Sequence, residues 1–171
     1  NQAVKITDGT LEVTLSDTDP AGYLMADSIR LELLGPQLTW DGLGDGQWGQ
    51  IDGGSGMSRW RDEANNQVAE FPTAVNRAVV KTNVVTVERS HAAQWLEIQS
   101  GAVHVADGAS LAVGKRLTMA AGAGLTLGAD ASVATGEILD VPAGSPLTLG
   151  ARAALSTYRE LIVASGPSLS V

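Results

Sequence analysis

Apolar residues in the second half of the chain recur with a period of 22. Val103, Leu125, Leu147 and Leu169 form one column at that spacing, and Val105, Leu127, Leu149 and Val171 form another. Leu111, Val133 and Leu155 make a third, Leu117, Leu139 and Leu161 a fourth, and Met119, Val141 and Val163 a fifth. Within each unit the apolar residues come in pairs two apart, as in Leu125-Thr-Leu127, so both side chains lie on one face of a short strand. The residues between pairs are Gly, Ala, Asp and Ser, which let a chain turn corners. A unit this small cannot bury its own apolar face, but stacking units at the strand spacing of about 4.8 Å turns each column into an interior ladder. Gly122, Gly124, Gly128, Gly136, Gly144 and Gly150 would break any helical reading. The pattern predicts an all-β fold, a short parallel β-helix (β-solenoid) with 22-residue coils of three strands each. The crossover rule for parallel strands makes it right-handed.

Ahead of the coils the texture changes twice. Residues 1–35 read as N-terminal β strands: Val4-Lys-Ile6 and Leu11-Glu-Val13-Thr-Leu15 alternate about an Asp8-Gly9 turn, and Ile29, Leu31 and Leu33 share a face. Residues 36–82 form a Gly/Trp-rich region. It contains Trp40-Asp-Gly-Leu-Gly-Asp-Gly-Gln-Trp48, then Trp60, then a polar stretch from Asp62 to Glu70 that suggests a short helical turn. Coils are expected over residues 83–171, beginning with Val85-Thr-Val87 and Trp95-Leu96-Glu-Ile98. Val85 and Val87 precede Val103 and Val105 by only 18 residues, so the first coil is short, as terminal repeats often are.

Composition narrows the function classes. Net charge is −8, which argues against nucleic acid and against anionic membrane surfaces, since both require a basic face. No apolar run approaches the roughly 18 residues of a membrane-spanning helix, so no membrane insertion is expected. The chain has no cysteine, so disulfides play no part. It begins at Asn1 and ends on a column residue, Val171, which together suggest a piece of a longer polypeptide.

Candidate chemistry is sparse. Asp41, Asp45 and Asp52 in the Gly-rich stretch could offer oxygen ligands to Ca²⁺, the one cofactor suggested, although turn chemistry is the favoured reading. Trp40, Trp48 and Trp60 are either an aromatic platform for a polysaccharide or, preferably, a plug over the open end of the β-helix. His104, between Val103 and Val105, should face outward. Neither a zinc-ligand pattern nor a serine-nucleophile motif is present, and Asp107, Asp130 and Asp140 fall in different columns. No catalytic residue is assigned, and the protein is not expected to be an enzyme. Lys115, Glu137 and Arg159 lie one coil apart and should stack opposite charges along one corner, beside Arg116 and Glu160.

Two resemblances are carried by particular stretches. Gly9-Thr-Leu-Glu-Val-Thr-Leu-Ser and Gly22-Tyr-Leu-Met-Ala-Asp-Ser-Ile-Arg-Leu-Glu, within residues 9–34, resemble the closing strands of a golvesin/Xly-type carbohydrate-binding-like β-sandwich. The earlier strands of such a domain are missing, so no sugar-binding capacity carries over. The run from Trp40 through Trp48, Trp60, Phe71-Pro72, Ala78-Val-Val and Leu96-Glu-Ile to Gly101-Ala-Val is similar to the openings of β-helical passenger and repeat regions. Such regions occur in large secreted bacterial proteins, including autotransporter-type adhesins and planctomycete extracellular proteins. That resemblance implies a non-catalytic structural or adhesive module, extracellular or at the cell surface. The alternatives are a carbohydrate-binding module using exposed tryptophans and, less favoured, a polysaccharide-acting β-helix enzyme. The strand columns at Leu169 and Val171, with Val4 and Ile6 as donors, suggest self-association head to tail into a fibre, or continuation with further coils.

Overall fold

Short alternating segments pair in parallel with their equivalents one coil away, so the repeat becomes a β-solenoid of about four turns. The computed structural model describes residues 35–40, 44–164 and 168–170, the last for backbone only. The chain divides into two compact units, residues 1–33 and 34–171, and every described residue belongs to the second. The expected N-terminal strands, with Val4 and Ile6, lie outside the described residues, as do Asp41 and Val171.

Three sheets form the sides of the stack. The first runs from Gln37–Trp40 through Arg77–Val80, Trp95–Ile98, Arg116–Met119 and Ile138–Val141 to Glu160–Val163, all parallel. At its N-terminal edge Trp60–Arg61 adds one antiparallel strand against Gln37–Trp40. The second sheet runs from Gly46–Gln47 through Val84–Val87, Ala102–Val105, Gly124–Leu127 and Pro146–Leu149 to Ser168–Ser170. The third starts a coil later and contains His91–Ala93, Ser110–Val113, Ser132–Thr135 and Ala154–Thr157. No helix occurs among the described residues.

The apolar columns fall where the sequence puts them. Leu125 pairs with Val103 and Leu147, Leu117 with Leu96 and Leu139, and Val133 with Leu111 and Leu155. Val103, Val105, Leu111, Leu117, Leu125, Leu127, Val133, Leu139 and Val141 are each no more than 1% exposed. Full burial of such a side chain contributes about 1.5–3 kcal/mol, and here the rungs on either side provide the cover. Corners stack as tightly as strands. A Cβ at Gly136 would run into the backbone carbonyl of Gly114, one coil away, so side chains are shut out at that corner.

Two features depart from the sequence pattern. The stack begins before Val84: Leu38 and Trp40 already stand in interior columns, paired with Ala78 and Val80. Forty residues separate Leu38 from Ala78, because an insertion between Trp48 and Asn76 interrupts the coil and hides its period. The helical turn expected over 62–70 is not formed. The Asp62 carboxylate instead accepts the Asn66 backbone N–H at 2.8 Å, and Asn65 takes φ 66°, closing a tight reversal between Arg61 and its antiparallel bridge partner Gln67.

Because Leu127 has a rung on both sides, replacing it by Asp puts a carboxylate where water cannot reach. Leu127→Asp is expected to abolish the cooperative thermal transition followed by circular dichroism. A retained cooperative melt would refute the interior placement of that column.

Candidate functional site

The densest cluster of chemically capable side chains lies at the N-terminal end of the stack. Trp40 and Trp48 enter it as the topmost members of interior columns. Trp40 stands over Val80 and Ile98, while the Gly46–Val85 register places Trp48 over Val87 and Val105. Trp60 is directed there by its antiparallel pairing with Trp40. Its ring meets Trp40 edge-on at a centroid distance of 5.3 Å and Trp48 at 4.9 Å. Each indole N–H has an acceptor: the Gly44 carbonyl for Trp40 (3.1 Å), that of Pro72 for Trp48 (3.1 Å) and that of Trp48 for Trp60 (2.9 Å). Gly46 makes room for this packing, since a Cβ there would sit 3.1 Å from the Trp40 ring. All three tryptophans are 0% exposed. None offers a ring face to a sugar, which corrects the platform reading, whose stacking chemistry needs an open face.

Of the candidate metal ligands, Asp45 and Asp52 each accept backbone hydrogen bonds. Asp45 Oδ1 accepts the Val84 backbone N–H at 2.7 Å, replacing a backbone rung at the corner between two coils. Asp107 bridges to the next coil in the same way at another corner, two coils further on, accepting Ala129 N–H at 2.8 Å. Asp52 Oδ1 accepts from Gly54 and Ser55 N–H at 2.8 and 2.9 Å, and those donors hold its carboxyl below the usual range. Asp41 lies outside the described residues. Among the described residues no group of three or more His, Asp or Glu side chains could hold a metal ion.

Sequence reasoning missed His91. Its strand pairs His91 with Leu111, which places the imidazole at the head of the Leu111–Val133–Leu155 interior column. The side chain is only 5% exposed and its Nε2 lies 3.0 Å from Glu88 Oε1. Phe71 meets the imidazole edge-on at 5.4 Å and Trp48 lies at 6.2 Å. Gly49 covers the pair so closely that a Cβ there would come within 2.7 Å of His91 Cε1. Burial pushes the Glu88 carboxyl up, but the hydrogen bond from His91, one from its own backbone N–H and the charges of His91 and Arg89 together outweigh it, leaving its pKa below the ordinary 4.5. The only sequence signal was the 20-residue step to Leu111, and it stands outside the 22-residue register.

Elsewhere the polar residues mark coil register. Asp130 and Arg152 form a bidentate pair at 2.6 Å, one coil apart. Backbone bonds link Lys115 to Glu137 and Glu137 to Arg159, which aligns the corner column of opposite charge. His104 lies on the outer side of its strand, between the buried Val103 and Val105. Leu169 continues the Leu125–Leu147 column in backbone register.

Comparison with protein-family models, with curated proteins and with solved structures finds no match to this chain.

Two outcomes follow from the enclosed cluster. Trp60→Ala removes a ring packed against two others, so equilibrium urea unfolding should show a loss of about 3–5 kcal/mol. Because the folded Glu88 carboxyl titrates below its unfolded value, its stabilisation is present above that unfolded value and is lost as pH falls through the folded one. Glu88→Gln should therefore flatten the acid limb of stability against pH relative to the parent chain. An unchanged limb below pH 4.5 would show that Glu88 and His91 are not coupled.

Proposed function

We propose that this protein is a non-catalytic structural module of a bacterial surface or secreted protein, whose coils extend, space or display what they are joined to. The observation that carries this reading is a gradient of cover along the interior columns. Leu117 and Leu139 are 0% and 1% exposed, whereas Leu161, the next member of the column, is 55% exposed. Val141 is 0% exposed and Val163, its successor, 47%. In every other rung these positions are covered by a neighbouring coil, so what fits over Leu161 and Val163 is a further apolar rung in register. The strand Glu160–Val163 also forms the edge of the first sheet, where a row of backbone groups is open to another strand. A longer chain that adds coils, or a second molecule docking head to tail, meets both demands.

A structural role also accounts for the arrangement of polar side chains. Asp45, Asp52, Asp107 and Asp130 are engaged in corner and turn hydrogen bonds. The extracellular setting is supported by the likeness of residues 38–171 to passenger and repeat regions of secreted proteins.

Sedimentation velocity at micromolar concentration tests the exposed end. The chain is expected to associate increasingly with concentration, and the double variant Leu161→Ser, Val163→Ser to sediment as a monomer. A parent chain that stays monodisperse and monomeric would overturn head-to-tail assembly.

A further inference from the structure

Three tryptophans are enclosed at the N-terminal end, but Trp95 is placed differently. In Trp95–Ile98 the side chains of Leu96 and Ile98 are buried in the core, so Trp95 and Glu97 are on the outer face, both half-buried. Arg77 is the register partner of Trp95 on one side. On the other, pairing of Leu96 with Leu117 sets Arg116 beside it. The indole therefore lies between two arginine positions about 10 Å apart, two strand spacings. The Arg116 guanidinium carbon is 5.6 Å from the Trp95 ring centroid, within cation–π range.

The charge here runs against that of the whole chain. With 11 basic and 19 acidic residues, a cation is the less common neighbour, yet Arg77 and Arg116 flank this ring. Exposed Arg89 and Arg152 each pair with a carboxylate, whereas neither Arg77 nor Arg116 has a carboxylate partner among the described residues. Glu97, the acid on the same strand face, accepts a hydrogen bond from Gln99 Nε2 at 2.8 Å. Trp95 Nε1 is buried and meets no acceptor among the described residues, a donor left over where interior donors are normally satisfied.

We propose that Arg77, Trp95 and Arg116 form a binding site for a short acidic sugar. The apolar C–H face of a pyranose ring would lie on the part of the half-buried indole that Arg116 leaves uncovered, and its carboxylate would be taken by a guanidinium fork, which matches it in plane and charge. The net charge of −8 opposes long polyanions such as nucleic acid, so the ligand is a uronate residue or a short run of them. This site is separate from the enclosed tryptophans and does not depend on assembly at the exposed end.

Calorimetric titration of the full chain with trigalacturonate, and in parallel with neutral galactotriose, tests the site. Saturable binding of the acidic trisaccharide is expected, weakening as salt rises, with the neutral one at least about tenfold weaker. Arg116→Gln should lower affinity about tenfold, the loss of one charge-assisted contact, and Trp95→Ala should abolish binding while Trp95→Phe keeps part of it. Thermal melting of Arg116→Gln is expected to match the parent chain, because the position is on the outer face. Absence of binding to trigalacturonate, equal binding of the neutral sugar, or binding unchanged in both Trp95→Ala and Arg116→Gln would overturn the proposal.

Discussion

Away from the ends of the stack, each interior side chain of this solenoid is covered by the coil before it and the coil after it, and the remaining structure depends on that mutual cover. Leu125 lies between Val103 and Leu147, and Leu139 between Leu117 and Leu161. No coil could hold its apolar face out of water alone, since a single rung has nothing above or below it. Stability in such a stack is approximately a sum of terms between neighbours. The cost of imperfection therefore collects at the ends, where one neighbour is missing.

The two ends meet that constraint in different ways. At the N-terminal end the columns finish in large rings: Trp40 and Trp48 are set on top of aliphatic columns, and Trp60 closes the space between them. The Trp48–Asn76 insertion delivers Trp60 and Phe71 and also supplies the carbonyl of Pro72 to an indole N–H. The third column ends in an imidazole rather than an indole, and its polar nitrogen is served by Glu88. At Leu161 and Val163 the columns remain uncovered. The proposed role rests on this difference in cover between the tryptophan-bearing rungs and the rung of Leu161 and Val163.

Stacking also decides what the outer surface can be. Parallel register places residues one coil apart side by side, so the solenoid displays columns of side chains at strand spacing. One column becomes the Asp130–Arg152 pair and another the Lys115, Glu137 and Arg159 corner. The same rule puts arginines on both sides of Trp95. Backbone polar groups at corners follow it too: where a regular rung is interrupted, an aspartate carboxylate from the adjacent coil accepts the orphaned N–H, as Asp45 and Asp107 do.

The sequence by itself determined the repeat, its all-β character, the interior columns and the outward position of His104, because period-2 alternation inside a fixed 22-residue register leaves one burial pattern. It also located the tryptophan cluster near the first coil. Only the tertiary structure decided that coils begin at Leu38, because the insertion before Asn76 breaks the period a reader relies on. It decided against a helical turn after Asp62, where an Asx hydrogen bond and a left-handed Asn65 compete successfully with helix formation. His91 was invisible for a related reason: coil length changes near the cap, so its pairing with Leu111 cannot be counted from the regular spacing. Trp95 drew no notice as a site since a lone aromatic in an alternating strand says nothing about its lateral neighbours. Those neighbours come from other coils, and only the folded register brings Arg77 and Arg116 to its two sides.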